Sequence, residues 1–181
     1  EAAGRRYAGY ARADTVVRHP ALFERWRAAG LHDLTIGVEA ARDSQLDRLA
    51  KGTDTRINEE AIRILHRLDI VPFAHLLVDP DFTEEDFDAL EDFVCSLNLS
   101  NPFFVVLTPL PGTLLFEQKR AEIRMPYDYY DFTHAIVPTR LEPARFFTRF
   151  IRLYYRSFSL RRNLRQRLQR LGLLPAPGGR R

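Results

Sequence analysis

The chain has 181 residues, 45% of them hydrophobic, which suffices to bury one sizeable core in a single domain. The sequence contains no apolar run of about 18 residues, which is the length that would predict a membrane-spanning helix. The chain starts at Glu1 rather than Met, with no charged-then-apolar leader, so we expect no secretion signal and a piece of a longer protein. A lone cysteine fits a reducing, cytoplasmic setting. A single cysteine, Cys95, excludes a disulfide framework and any metal site built from several cysteines of this chain.

The formal net charge of +3 conceals an asymmetry along the chain. From Arg140 onward there are 12 arginines and one acidic residue, Glu142, which gives this region a charge of +11. The preceding 139 residues carry −8. The basic character therefore belongs to the C-terminal region and not to the whole fold.

Strand-like and helix-like segments alternate along the chain. The predicted strands cover residues 7–17, 34–40, 71–79 and 101–109, and the predicted helices cover 19–30, 43–50, 58–68 and a segment after a capping-box motif at 83–86. Apolar strands separated by helices predict parallel β/α packing, and repeats of roughly 30 residues fit four βα units. Four units make a half barrel or the latter part of a larger one.

Polar residues stand where these predicted strands end. They are Arg12 and Asp14, then Glu39, then His75 and Asp79, and finally Thr108. Ligands of parallel α/β folds bind at the carboxyl ends of the strands, so together these residues predict a binding rim. Glu39 is the most informative of them, because a carboxylate after a buried strand is costly unless it meets a partner.

The C-terminal region predicts helices. Apolar residues recur at helical spacing on one face, namely Phe147, Phe150, Ile151, Tyr154 and Phe158, and predict a helix that packs over the open side of the barrel. Leucines from Leu160 to Leu171 then stripe a second, arginine-rich helix, which suits an anionic membrane surface or a nucleic acid. We expect three parts: residues 1–125, a helical extension over 126–172, and a disordered tail over 173–181.

Several motifs, taken in order, resemble one enzyme family. They are R-A-D-T-V-V (12–17), I-G-V-E (36–39), D-x-x-L with a following K-G (43–52), L-V-D-P-D-F-T-E-E-D-F (77–87) and L-T-P-L-P-G-T (107–113). Together they resemble radical S-adenosylmethionine enzymes, within them the cobalamin-binding branch, and most of all the methylases of hopanoids. The resemblance covers about residues 7–158.

The resemblance implies a partial (β/α)6 TIM-like barrel, of which this chain is the C-terminal half. In such enzymes an upstream C-x3-C-x2-C loop binds a 4Fe–4S cluster, and cobalamin is bound by a further domain. With only Cys95, this chain departs from the family pattern and cannot hold the cluster by itself.

The resemblance also implies roles in binding S-adenosylmethionine. Glu39 is expected to meet its ribose hydroxyls or its methionyl end. Arg12 is expected near the cofactor carboxylate or as a support for Glu39, and Lys51 near the methionyl carboxylate. His75 would face the ribose, and the backbone of Leu107 and Thr108 would meet the adenine. For Lys51 and His75 a solvated helix end and a hydrogen-bonded core histidine remain open alternatives.

The resemblance implies an enzyme that transfers a methyl group to an unactivated carbon of an apolar, hopanoid-like small molecule. The expected chemistry is reductive cleavage of S-adenosylmethionine, hydrogen abstraction by the 5′-deoxyadenosyl radical and methyl transfer from methylcobalamin. No catalytic residue follows from the sequence. The alternative is a non-catalytic α/β module whose basic tail binds RNA or a partner protein, and a cysteine loop upstream of Glu1 would decide for the enzyme.

Overall fold

The computed structural model describes residues 5–49, 52–97, 99, 101–157, 168 and 173. Strands and helices alternate in it. The elements are β1 (Tyr7–Arg12), α1 (Ala13–Arg18), α2 (Pro20–Ala28), β2 (Leu31–Glu39), α3 (Asp43–Arg48), α4 (Thr55–Arg67), β3 (Val71–Val78), α5 (Glu84–Ser96), β4 (Phe103–Val106), α6 (Leu114–Lys119) and α7 (Pro143–Ser157), with short 3-10 turns at Arg120–Glu122 and Tyr127–Tyr129.

The strands form one sheet in the order β1-β2-β3-β4, and every neighbouring pair is parallel. Parallel neighbours need crossover connections, which the intervening helices provide. The α/β prediction is therefore confirmed, with four successive strands as expected for the C-terminal half of a partial barrel. Because all strands run the same way, their carboxyl ends meet at one edge.

The two faces of the sheet differ in burial. One face packs under the helices and forms the core, with Leu34, Ile36 and Val38 of β2 beside Ala74, Leu76 and Val78 of β3. The other face is open and carries aromatic side chains: Tyr10, Phe73 and Phe103 are 83%, 36% and 47% exposed. Side chains alternate between faces along a strand, so each strand contributes to both.

The first strand is shorter than predicted. It ends at Arg12, and the residues that follow form α1 instead of continuing the strand to residue 17. Asp14 lies in the first turn of α1, where a carboxylate is favoured by the helix dipole, and it accepts a hydrogen bond from Arg18 one turn later at 2.5 Å. The β-branched pair Val16 and Val17 favoured a strand, but Val16 is buried on a helix face.

The capping box predicted at residues 83–86 is present at the start of α5. Asp86 N donates to Thr83 Oγ1 at 3.2 Å, and Thr83 N donates to the Asp86 carboxylate at 2.9 Å. Arg42, just before α3, donates to the other oxygen of that carboxylate at 2.5 Å. The start of α5 is thereby fixed beside the end of β2.

Helix α7 packs against α5 and not over the open face of the sheet as predicted, and the face that it buries overlaps the predicted one only in part, at Phe150 and the half-buried Phe147 and Tyr154. Its buried apolar residues are Phe146, Phe150 and Leu153, whereas Ile151 is 52% exposed. Phe146 packs edge-on against Phe87, with ring centroids 5.4 Å apart. Apolar residues one position apart create two overlapping helical stripes, so periodicity alone did not fix the rotation of this helix.

Ion pairs with α5 fix the rotation of α7 about its own axis and neutralise much of its basic charge. Arg149 is buried, pairs with Glu84 and Asp88 of α5, and lies over the ring of Phe87 at 5.7 Å. Glu91 of α5, also buried, pairs with Arg152 and Arg156. The arginines of α7 therefore meet acidic residues of the same chain.

The chain after α7 falls almost entirely outside the described residues. This applies to Phe158, to the predicted arginine-rich helix apart from Leu168, and to the predicted disordered tail apart from Leu173. Within the described part, none of the helices combines the length and apolar character that crossing a bilayer requires.

Candidate functional site

The carboxyl edge of the sheet is lined by cavities. The largest of these three cavities, of about 230 Å³, lies between the ends of β1 and β2 and is lined by Ala11, Arg12, Ala13, Asp14, Gly37, Glu39 and Thr53. A smaller space of about 30 Å³ continues from Glu39 towards Asp79 and Leu107. A third, of about 70 Å³, extends from Asp79 and Leu107 to Lys119. The rim predicted from the sequence is thus a row of cavities, and Glu39 borders the first two.

Glu39 has a backbone conformation that is rare for a residue with a side chain. Its φ is 68°, in the left-handed region. Ala40 N donates to the carbonyl oxygen of Val38 at 2.8 Å, so the three residues form a tight turn of the classic γ type. The register between β2 and β3 also shifts here, between Gly37 and Glu39. Such a conformation costs about 1–3 kcal/mol and occurs preferentially at functional sites.

Gly37 provides the space for the Glu39 side chain. A Cβ atom built on Gly37 would lie 2.6 Å from Glu39 Oε1, which is well inside contact distance. The carboxylate therefore lies against the backbone of its own strand, at the wall of the largest cavity. This contact explains why the I-G-V-E motif has a glycine two residues before its glutamate, since any larger residue at position 37 would displace the carboxylate.

Asn58 of α4 supports the same turn from the core side. Its Nδ2 donates to the carbonyl oxygen of Val38 at 2.8 Å, and the residue is completely buried. Asn58 is not among the site residues predicted from the sequence. The available signal was its place one turn before Ala61 and Ile62 on the buried stripe of α4, where a polar residue is unexpected.

Arg12 and Asp14 also line the largest cavity. Arg12 Nε donates to Asp14 Oδ1 at 2.9 Å. This hydrogen bond, together with the charges of Arg12 and Arg18, lowers the pKa of Asp14 despite some opposing desolvation. Asp14 is therefore ionised at neutral pH. The cavity combines carboxylates and a guanidinium, which suits a ligand that carries charges of both signs.

Thr53 adds a hydroxyl to this cavity. Its Oγ1 is buried and makes no hydrogen bond within the part of the chain that the structure describes. A hydroxyl can both donate and accept hydrogen bonds, so Thr53 can donate one to a polar ligand or accept one from it.

The other residues predicted for the site are His75, Leu107, Thr108 and Lys51. His75 pairs in register with Gly37 on the open face of the sheet, and its ring packs against Phe103 with centroids 5.1 Å apart. Leu107 N donates to Val78 O at 2.9 Å, and Leu107 lines both of the smaller cavities. Thr108 is buried and donates to Val106 O at 2.9 Å, a bond within its own strand end. Lys51 lies outside the described residues.

The described residues offer no metal centre. None of their His, Cys, Asp and Glu side chains form a group of three or more that could hold a metal ion. Cys95 is a free, half-buried thiol at the end of α5. A 4Fe–4S cluster does not fit these residues, because such clusters are held by several cysteine thiolates.

Comparisons with known proteins found curated relatives that include methylases and cyclases. No family model matches the chain. A hopanoid C-3 methylase of Methylococcus capsulatus is 27% identical over 146 residues, which are 78% of this chain and 27% of that protein. An anaerobic magnesium-protoporphyrin IX monomethyl ester cyclase of Cereibacter sphaeroides is 33% identical over 132 residues, which are 70% of this chain and 21% of that protein.

A solved structure of a cobalamin-dependent S-adenosylmethionine radical enzyme also matches, with a TM-score of 0.47 and 23% identity, over 65% of this chain and 17% of that chain. The chain thus spans about a quarter of the length of the curated relatives it matches. The family resemblance drawn from the motifs is confirmed by the curated relatives, and within it so is the resemblance to a hopanoid methylase.

Proposed function

Because the chain is a relative of the cobalamin-binding radical S-adenosylmethionine enzymes, we propose that its carboxyl rim forms part of the S-adenosylmethionine site of a longer enzyme of this kind. The observation that carries the proposal is the strained turn at Glu39, whose carboxylate lies over Gly37 at the wall of the largest cavity. A loop that only connects β2 to α3 does not require a backbone conformation with this free-energy cost.

The chemistry of the cavity fits the proposed ligand. S-adenosylmethionine carries a positive sulfonium, an ammonium, a carboxylate and two ribose hydroxyls. Glu39 can accept hydrogen bonds from the hydroxyls or the ammonium, while Arg12 can meet the carboxylate. Thr53 adds a hydroxyl within the same cavity. We also place His75, the Leu107 carbonyl, Thr108 and Lys51 around this ligand as proposed contacts.

The cavity accommodates only part of such a ligand. Its volume of about 230 Å³ lies below the roughly 300–1,000 Å³ of most small-molecule sites. The chain also spans about a quarter of the relatives' length. We infer that segments outside this chain close the rest of the site and hold both the 4Fe–4S cluster and cobalamin. Together these cofactors supply radical and methyl-transfer chemistry, and the residues of this chain bind and orient S-adenosylmethionine.

For the reaction we propose methyl transfer to an unactivated carbon of an apolar small molecule such as a hopanoid. The methylase among the relatives supports methyl transfer, and the open aromatic face with Tyr10, Phe73 and Phe103 suits an apolar substrate. A ring-forming reaction is the alternative suggested by the cyclase relative. A further alternative is a non-catalytic module whose basic tail binds RNA or a partner protein; the arginines of α7 give it less support, because they pair with Glu84, Asp88 and Glu91, and the arginines from Arg161 to Arg170 lie outside the described residues.

The test is calorimetric titration of S-adenosylmethionine into the full-length protein that carries this chain, with its cluster reconstituted. We compare wild type with Glu39→Gln and with Asp33→Asn, which makes the same chemical change at the other end of β2. Glu39→Gln should weaken binding by about 1–3 kcal/mol, the range for removing a charged hydrogen-bond partner. Asp33→Asn should leave it unchanged. Equal affinities for all three proteins would contradict the proposal.

A further inference from the structure

We propose that Asn58 is a positioning residue that holds the Glu39 carboxylate in the geometry needed for cofactor binding. This inference deepens the proposed function and rests on it. It starts from the carbonyl oxygen of Val38, which accepts two hydrogen bonds, one from Ala40 N and one from Asn58 Nδ2, both at 2.8 Å.

The Val38 carbonyl controls the direction of the Glu39 side chain. It belongs to the peptide plane that precedes Glu39, and φ of Glu39 is the rotation of that residue relative to this plane. Fixing this plane, while Ala40 N is bonded to the same carbonyl oxygen, restricts φ, which stands at 68°. The γ turn alone has only one short hydrogen bond with which to hold a strained conformation. The amide of Asn58 adds a second bond to the other lone pair of the same oxygen.

Asn58 can act as a fixed point because the start of α4 is held firmly. Asp54 caps the helix by accepting a hydrogen bond from Ile57 N at 2.8 Å, and Thr55 N donates to Asp43 Oδ1 of α3 at 2.8 Å. Asn58 itself is completely buried in the first turns of the helix. The donor thus cannot move away from Val38 without moving α4.

Burial of Asn58 has a cost that packing does not explain. Its Oδ1 is buried and makes no hydrogen bond within the described residues. An apolar side chain of similar volume would continue the stripe of Ala61, Ile62 and Leu65 without leaving a polar atom unpaired. The donation to Val38 is the bond that an apolar residue could not make, and that bond acts on the turn that carries Glu39.

The test uses Asn58→Leu in the full-length protein, because leucine removes the amide while it keeps the volume and suits the buried stripe. Asn58→Ala is the second variant, and Ile62→Val on the same face of α4 is the matched control. We expect Asn58→Leu to fold with near-wild-type thermal stability and to bind S-adenosylmethionine about tenfold more weakly, a loss typical of one hydrogen bond. Ile62→Val should bind as wild type.

A double-mutant cycle separates positioning from a general structural effect. If Asn58 acts through Glu39, then Asn58→Leu should weaken binding in the wild-type background but add nothing to Glu39→Gln. An equal loss of affinity in both backgrounds would overturn the inference, and so would an Asn58→Leu variant that binds as tightly as wild type.

A crystal structure of Asn58→Leu tests the positioning independently of the cofactor. We expect φ of Glu39 to leave the left-handed region and the carboxylate to leave Gly37. An unchanged turn in this variant would overturn the inference even if Glu39 binds the cofactor. Conversely, a changed turn together with an affinity that is insensitive to Glu39→Gln would uphold the positioning and refute the proposed cofactor site.

Discussion

The carboxylate of Glu39 lies against the α-carbon of Gly37, two residues earlier in the same strand, so closely that a Cβ on Gly37 would be 2.6 Å from Glu39 Oε1. The contact exists because Glu39 leaves the strand in a left-handed conformation with φ of 68°. The space at Gly37 and the turn at Glu39 are therefore two parts of one arrangement, which presents a carboxylate to the cavity between β1 and β2.

Gly37→Ala should weaken S-adenosylmethionine binding by about 1–3 kcal/mol, because the new methyl group displaces the Glu39 carboxylate. The matched control is Gly9→Ala in β1, where a Cβ would meet only Leu34 Cδ1 and Leu31 Cδ1, at 3.5 and 3.6 Å. Calorimetry on the full-length protein measures both. Tight binding by Gly37→Ala would show that the position of the carboxylate does not matter.

Glu39→Gly and Glu39→Ala should differ in stability but not in binding. Both remove the carboxylate and should weaken S-adenosylmethionine binding by about 1–3 kcal/mol. Glycine adopts positive φ without strain, whereas alanine does not, so Glu39→Gly should be about 1 kcal/mol more stable towards urea than Glu39→Ala. Equal midpoints and slopes for the two variants would mean that the turn stores no strain.

The sequence predicted much of this fold because its signals were local. The capping box of Thr83 and Asp86 and the apolar periodicity of α4 need only neighbouring residues to be recognised. Strand direction alone also predicts that Arg12 and Glu39 lie at one edge of the sheet, and both line the same cavity there.

The sequence-based predictions were wrong or incomplete for features that depend on contacts between residues far apart in the sequence. The burial of Val16 against helices converted the end of the predicted first strand into α1. The pairing of Arg149 with acidic residues of α5 selected between two apolar stripes of α7. The buried stripe of α4 marks Asn58 as an unexpected polar residue, but its hydrogen bond to Val38, twenty positions away, follows only from the folded structure.

Stability at acidic pH should depend on Asp86. Burial by itself would raise the pKa of Asp86, but hydrogen bonds from Thr83 and the charges of Arg42 and Arg48 lower it below its usual value. A carboxyl group with a lowered pKa stabilises the folded state fully above its unfolded pKa, and this contribution is lost as pH falls through the folded value.

Asp86→Asn should therefore cost about 1 kcal/mol at neutral pH, a usual value for a lost helix cap, and progressively less below about pH 4. Urea denaturation over a pH series measures the difference from wild type. Asp92→Asn, at an exposed position of the same helix, serves as the control. A destabilisation by Asp86→Asn that stays constant down to pH 2 would contradict a stabilising role for the ionised Asp86 carboxylate.

This chain expressed by itself should bind no 4Fe–4S cluster, because it has a single thiol, Cys95. Anaerobic reconstitution followed by iron determination and visible absorption measures this directly. In the full-length protein, Cys95→Ser should retain the cluster content of wild type. A stable brown protein with one cluster per isolated chain would overturn the expectation.

The arginine-rich segment from Arg161 to Arg170 is expected to attach the protein to anionic membranes, where the proposed apolar substrate would dissolve. Each basic group near such a surface contributes about 1 kcal/mol. Co-sedimentation with anionic and neutral vesicles, with and without residues 160–181, tests this. If the truncated protein sediments with anionic vesicles as well as wild type does, the segment is no anchor, and displacement by stoichiometric RNA would favour a nucleic-acid role.

The most direct measurement is a crystal structure of the full-length protein with S-adenosylmethionine bound. We predict that a Glu39 carboxylate oxygen accepts a hydrogen bond from the ribose or the methionyl ammonium, at about 2.6–3.2 Å, with the turn at Glu39 unchanged. The cofactor should occupy the cavity that Arg12, Gly37 and Thr53 also line. S-adenosylmethionine bound elsewhere, with no contact to Glu39, would contradict the account.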